Sequence, residues 1–408
     1  LSTTLTKAEI SEDTILKIEE YFMSNHSEIF HNAFVEEESK DTLRGLLEEH
    51  LKNIIPEQDL SNDLDYIMSE LVGLGVIDKI RKNPDVTDIG YDGTQLWVKG
   101  NGFKTYSIEL ETEAAKKIIA KINSTTQTEL TPQRPIVNTS LNRLRVNMVD
   151  SSVATDGETF AIRISKPGLI LNKNNFTNIA KEYVAKLLRA MALTKSSVTF
   201  SGEAGAGKTT LQKLYIDFIR DTERINIIET NKDMYAKETF PHKNIFYWIA
   251  NENAPIDQLI QKASLRSDID WLMVAEVVGP EVYQMYQALL TGHRISTTLH
   301  AFDARAQPDR LLGMAKEKYL VNDETFLKNI YTYLDFGIHS DVALHEDGTE
   351  TRYLQEIVAF NADKTATTVY KQEFDGYNFH SEIGELPDTF LRNLRRYRVD
   401  YDGLPKGA

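Results

Sequence analysis

Residues 196–215 read SSVTFSGEAGAGKTTLQKLY. An apolar run with strand character enters a turn containing Gly202, Gly205 and Gly207, and a helical pattern begins at Lys208. The spacing Gly-x4-Gly-Lys-Thr is the Walker A pattern. It has a mechanical basis, because a backbone that wraps phosphates with its N–H groups pointing inward has no room for side chains. Ala204, Gly205, Ala206 and Gly207 would form that cradle, with Thr210 following in the helix. Lys208 would reach the β and γ phosphates, and the Thr209 hydroxyl would ligand Mg²⁺. A chance glycine-rich turn is the competing reading, and the strand before and helix after argue against it.

Downstream, RINIIE, NIFYWI, WLMVAE and ISTTLH are short apolar or β-branched runs separated by loops or helical patterns. They predict a sheet covered on both faces. WLMVAE ends in Glu276, and an acid at the carboxyl end of a strand near a phosphate loop can orient an attacking water or hold a metal's water shell. Glu276 reads equally well as a cap on the helix that follows Gly279. His293 and His300 flank ISTTL. Zinc would require further ligands that a chain without cysteine does not place nearby, which leaves a structural pair or a nucleotide-sensing pair. From Asp335 strand patterns return at 336–344, 353–360 and 367–374, followed by a short helix near 390–394.

Upstream of the loop the pattern changes. Residues 71–166 predict a smaller α/β domain, with strand runs around Asp92-Gly93 and Gly100-Asn101-Gly102, a helix over 113–122, and strands at 144–149 and 159–164. Residues 167–178, Pro-Gly followed by a polar Asn-rich run, read as a hinge linker. Residues 1–70 read as a helical segment, from Ile15, Ile18 and Phe22, then Leu43, Leu46, Leu47 and Leu51, with an interruption at Pro56. The first 80 residues hold 18 acids and 6 bases, which accounts for −12 of the net charge of −15. This segment is either a solvated acidic face or a docking surface for a basic partner.

Composition sets outer limits. The chain has 408 residues and no cysteine, which removes disulfides, Cys-ligated zinc and thiol nucleophiles. No apolar run approaches the ~20 residues of a membrane span, and the opening residues lack a signal-peptide pattern. The expected location is cytoplasmic. The negative charge argues against nonspecific nucleic-acid binding, which needs excess Lys and Arg.

Taken in order, several stretches resemble the type II/type IV secretion ATPase superfamily, most closely its CpaF-like branch from Tad-type pilus systems. They are GLGVIDKIRKNPDVTDIGYDG (73–93), RPIVNTSLNRLRVNMV (134–149), TFAIRIS (159–165), the Walker A loop, QKASLRSDIDWLMVAEVVGPEVYQMYQALLTGH (261–293) and TTLHA (297–301). The resemblance runs from about Leu71 to the C-terminus. It implies an α/β fold in which a RecA-like P-loop ATPase domain with a C-terminal extension (179–408) follows the smaller α/β domain. It also implies a homohexameric, Mg²⁺-dependent ATPase motor. Such a motor would be peripheral at the inner face of the cytoplasmic membrane and would act on an inner-membrane platform protein of a pilus or secretion system.

Carried over by position, the resemblance makes Glu276 the Walker B glutamate, acting on Mg²⁺ through water. Glu229 and Asp233 become an acidic pair that positions water and metal, and His293 and His300 become the His-box pair. Arg145, Arg163 and Arg266 become arginines that reach nucleotide phosphates, where they would neutralise charge developing on the phosphoryl oxygens. The pattern departs at Asp268 and Val278, where the family has arginines, and at Thr230, where it has an acid. The His box is one residue short, with Arg294-Ile295 in place of a glycine. These departures motivate one alternative, a weakly hydrolysing structural subunit of such a machine; the close similarity of pilus and conjugative or effector motors gives a second, the motor of a conjugative or effector type IV system.

Overall fold

The computed structural model describes residues 12–33, 37–52, 60–100, 103–141, 143–165 and 168–405. The interruption read at Pro56, the turn residues Asn101 and Gly102, and Pro167 lie outside the described residues. The chain divides into two compact units, with the division after Ser165.

The first unit begins with helices α1 (Glu12–Asn25), α2 (Ser27–Asn32), α3 (Glu37–Lys52) and α4 (Leu60–Leu71). Apolar residues three and four apart put one stripe of each long helix inward. Ile15, Ile18 and Phe22 meet Leu43, Leu47 and Leu51 and also Leu64, Ile67 and Leu71 in one core. Next come α5 (Val76–Arg81), β1 (Val86–Tyr91), β2 (Gln95–Gly100), β3 (Phe103–Glu109), α6 (Thr112–Thr126), β4 (Ile136–Leu141), β5 (Leu144–Val149) and β6 (Thr159–Ile164). The six strands form an antiparallel sheet in the order β3-β2-β1-β6-β5-β4. One face buries Ile89, Val98, Val146, Met148 and Ile162 under Ile118, Ile119 and Ile122 of α6. Strand alternation then turns Arg145 and Arg163 to the other, exposed face. Lys121 of α6 donates to the carbonyls of Glu70 and Gly73. It thereby satisfies acceptors left over at the end of α4.

The second unit contains α7 (Glu182–Leu193), β7 (Val198–Ser201), α8 (Lys208–Phe218), β8 (Arg224–Glu229), α9 (Ala236–Thr239), β9 (Asn244–Ile249), α10 (Ile256–Lys262), β10 (Trp271–Val274), α11 (Val282–Leu290), β11 (Arg294–Leu299), α12 (Gln307–Lys316), α13 (Asp323–Tyr333), β12 (Phe336–Leu344), β13 (Glu350–Phe360), β14 (Ala366–Phe374), β15 (Phe379–Ile383) and α14 (Asp388–Tyr397). One nine-stranded sheet runs β15-β14-β13-β12-β7-β11-β10-β8-β9. The six strands from β12 to β9 are parallel, and β13, β14 and β15 are antiparallel additions. Both faces are covered, so β7 and β10 are buried at every position and β8 and β11 at all but the first. Trp271 and Met273 enter the core beneath α7, α8 and α14. Leu272 and Val274 enter the core beneath α11, α12 and α13.

The C-terminal strands continue the sheet itself, because β12 pairs directly with β7. The run expected as a linker, 167–178, contributes Leu171 and Phe176 to the core beneath α7. Its asparagines make local turns, as where Asn175 Oδ1 accepts from the Asn172 amide at 2.7 Å.

Candidate nucleotide site

Parallel strands end together, so the loops leaving β12, β7, β11, β10 and β8 gather along one edge of the sheet, where such sheets bind ligands. β7 delivers the Walker A loop. At Gly202, where φ is +149°, a Cβ would lie 2.2 Å from the Ser340 carbonyl oxygen, an approach that only glycine permits. Gly207, at φ +91°, turns the chain into α8. Lys208 is buried, and its Nζ donates to the carbonyls of Gly202 and Glu203 at 2.9 and 2.8 Å. A phosphate oxygen in the loop would compete for those protons. Thr209 and Thr210 stand half-buried in the first turn of α8, where unpaired amides and the helix dipole favour an anion.

β10 and β11 bring the second part. Glu276 and His300 are both exposed at the carboxyl ends of these strands, with His300 Nε2 3.2 Å from Glu276 Oε1. The amides of Val278 and Gly279, just past Glu276, are engaged by Glu281, whose Oε1 accepts from them at 2.8 and 3.0 Å. Val278 itself is exposed.

The reading of His293 as a partner of His300 in one site is corrected by the strand between them. At about 3.3 Å per residue, β11 separates the two by roughly 20 Å. His293 Nδ1 lies 3.0 Å from Thr291 Oγ1 instead. Arg266 is exposed in a 3₁₀ turn shortly before β10, and Asp268 pairs with Arg224 at 3.3 Å. Arg294 lies 4.0 Å from Asp335. Arg145 and Arg163 are direct cross-strand neighbours in β5 and β6. Asp88 accepts from Arg163 Nε at 2.9 Å and relieves the like-charge contact.

Glu229 and Asp233 are adjacent, but the Glu229 carboxylate is buried and engaged by its own loop. Oε1 accepts from the Asp233 and Met234 amides at 3.0 and 3.3 Å and from the Tyr247 hydroxyl. Oε2 accepts from Met234 at 3.3 Å. Burial pushes its pKa up to about 7, against hydrogen bonds that lower it. Burial also lowers that of nearby Lys213, whose Nζ donates to the Asp233 carbonyl at 3.2 Å. A carboxyl raised from 4.5 to about 7 costs nothing when both folded and unfolded chains are protonated, and it destabilises the fold as pH rises through that window. Glu229→Gln keeps one acceptor oxygen, enough for the Asp233 and Met234 amides that Oε1 now serves. It should match the parent stability near pH 4 and exceed it by about 3 kcal/mol near pH 8. Urea unfolding across that range checks this, and parallel pH curves for the two proteins would refute it.

Four residues escaped the sequence reading. Gln307 of α12 accepts from Thr199 Oγ1 at 2.6 Å and donates to Ser201 Oγ at 2.7 Å and the Ile338 carbonyl at 3.1 Å. Ser201 Oγ also meets His339 Nδ1 at 2.8 Å. Burial holds this imidazole below its ordinary range. This buried network joins β7, β12 and α12 beneath the loop, and the only hint of it in the sequence is Thr199 and Ser201 alternating within an apolar strand. Arg352 of β13 donates from Nε to the Gly205 carbonyl at 2.6 Å. No motif announces it.

Comparison with known proteins agrees with this geometry. Residues 105–332 match the family described as type II/IV secretion system protein. An uncharacterised protein of Bacillus anthracis is 30% identical over 401 residues, covering 94% of this chain and 90% of that protein. The type IV secretion system protein VirB11 of Brucella suis is 28% identical over 186 residues, 44% of this chain and 51% of VirB11. The ATPase DotB of Yersinia pseudotuberculosis shares the fold with a TM-score of 0.55 at 16% identity, covering 72% of this chain and 80% of DotB. The pilus retraction motor PilT with bound ADP shares it with a TM-score of 0.52 at 20% identity, covering 80% and 86%. A match over more than half the chain, together with a relative alike along nearly its whole length, means that this chain belongs to the type II/IV secretion system protein family.

Proposed function

We propose that this chain is the ATP-hydrolysing motor subunit of a type IV secretion or pilus machine, working as a homo-oligomeric ring at the cytoplasmic membrane. The observation that carries this reading is the Walker A loop on the same sheet edge as the Glu276–His300 pair. Lys208 and the first turn of α8 bind the phosphates. Glu276, exposed beside His300, takes the proton of an attacking water, and His300 orients that carboxylate. Mg²⁺ fits the donors present: the Thr209 hydroxyl, half-buried in the first turn of α8, would hold the ion together with phosphate oxygens and water, and Glu276 would act on it through that water. When bound, it would neutralise charge on the transferring phosphoryl oxygens.

Arg145 and Arg163, paired on an exposed sheet face, suit delivery of positive charge across a subunit boundary. Arg266, exposed before β10, suits the same use from the opposite edge of its own sheet. No described helix is long and apolar enough to cross a membrane. Recruitment would run through a platform protein, with the acidic helices α1 to α4 as the docking module. A site completed by a neighbour should depend on assembly. Phosphate release per subunit is expected to rise several-fold with protein concentration, in step with the ring fraction seen by sedimentation. A fully active monomer would exclude the shared site. Absence of turnover despite ATP binding would favour the structural-subunit reading that Asp268 and Val278 suggest.

A further inference from the structure

β12 runs beside β7 from Phe336 to His339, the latter opposite Ser201. It then continues to Leu344 and returns through β13 from Glu350. This hairpin therefore extends beyond the point where β7 gives way to the phosphate loop, and it touches the loop twice. Ser340 packs so closely on residue 202 that only glycine fits there. Arg352, opposite Val342 in the hairpin register, reaches back to the Gly205 carbonyl. Its Cδ lies 3.8 Å from where a Cβ on Gly207 would be.

Gly205 has φ +85°, and no atom lies within 4 Å of where its Cβ would stand. Hydrogen bonds hold this peptide at both ends: Arg352 Nε donates to the Gly205 carbonyl, and the Glu203 carbonyl accepts from the Ala206 amide at 3.2 Å. A guanidinium at the carbonyl end polarises the peptide and adds positive potential to an anion-binding loop.

We propose that Arg352 is a positioning residue of the nucleotide site, bracing the phosphate loop from outside through the Gly205 carbonyl while Lys208 acts from within. This rests on the reading of the loop as an ATP site, and it makes the β12–β13 hairpin part of that site. Arg352→Gln and Arg352→Lys are compared with the parent chain and with Lys208→Ala, by titration with a fluorescent ATP analogue and by phosphate release. Loss of one charge-assisted hydrogen bond should weaken binding and raise KM about tenfold in Arg352→Gln. At saturating ATP, kcat should stay within about twofold, and Arg352→Lys should recover part of the affinity because it keeps a cationic donor. The unfolding temperature without nucleotide should be unchanged, while its rise on adding ATP should shrink. Parent-like KM in Arg352→Gln overturns the proposal. So does a fall in kcat and unfolding temperature with KM unchanged, which would mark a merely structural contact. If the parent chain binds the analogue no better than Lys208→Ala, the ATP-site reading itself fails, and that result is distinct from either.

Discussion

Lys208→Ala should lower ATP affinity by at least about 100-fold and bring phosphate release to background. The expectation follows from where the ammonium is. It is buried inside the loop with two backbone carbonyls, of Gly202 and Glu203, as partners. Removing it deletes the one positive point charge at the β/γ phosphate position and leaves two carbonyls facing incoming anions. The damage should be local. α8 is anchored by Leu211, Leu214 and Tyr215 in the main core, so far-UV circular dichroism and the urea midpoint should stay close to the parent. Calorimetric titration with ATP is the direct check, and affinity within a few-fold of the parent would refute the loop's assignment.

Glu276→Gln should separate binding from chemistry. The side chain is exposed and touches His300 rather than the loop amides, so the amide isostere should bind ATP within about threefold of the parent. Hydrolysis should fall by roughly 100-fold or more, the usual scale for loss of a general base. Single-turnover phosphate release measured beside equilibrium binding tests both halves. Were Glu276→Gln to lose binding as severely as Lys208→Ala, Glu276 would be a structural or metal-holding group and the base would have to be sought elsewhere on the same edge.

The amount that could be read in advance differed by residue for physical reasons. Lys208 and Thr209 were legible because a phosphate loop is local: strand, glycines, lysine and helix follow one another, and backbone geometry dictates the spacing. Glu276 was half legible. An acid after an apolar strand fits two roles, and only the fold shows that this one stands beside His300. Glu229 and His293 were matched by position to residues of the superfamily, and position says nothing of direction. Glu229 turns into its own loop, and His293 sits a strand's length from His300. Arg352 and Gln307 were not legible at all.

By itself the sequence determined the α/β architecture and the location of the phosphate loop. Each of these depends on local signals: apolar periodicity, turn glycines and runs that are apolar on both strand faces. Only the tertiary structure decided which strands border β7. Pairing of β12 with β7 is contact between segments more than a hundred residues apart, and nothing local specifies the order in a sheet whose central strands are all buried. That order places His339 beneath the loop and Arg352 against it, because hydrogen-bond register, not chain distance, sets which side chains meet.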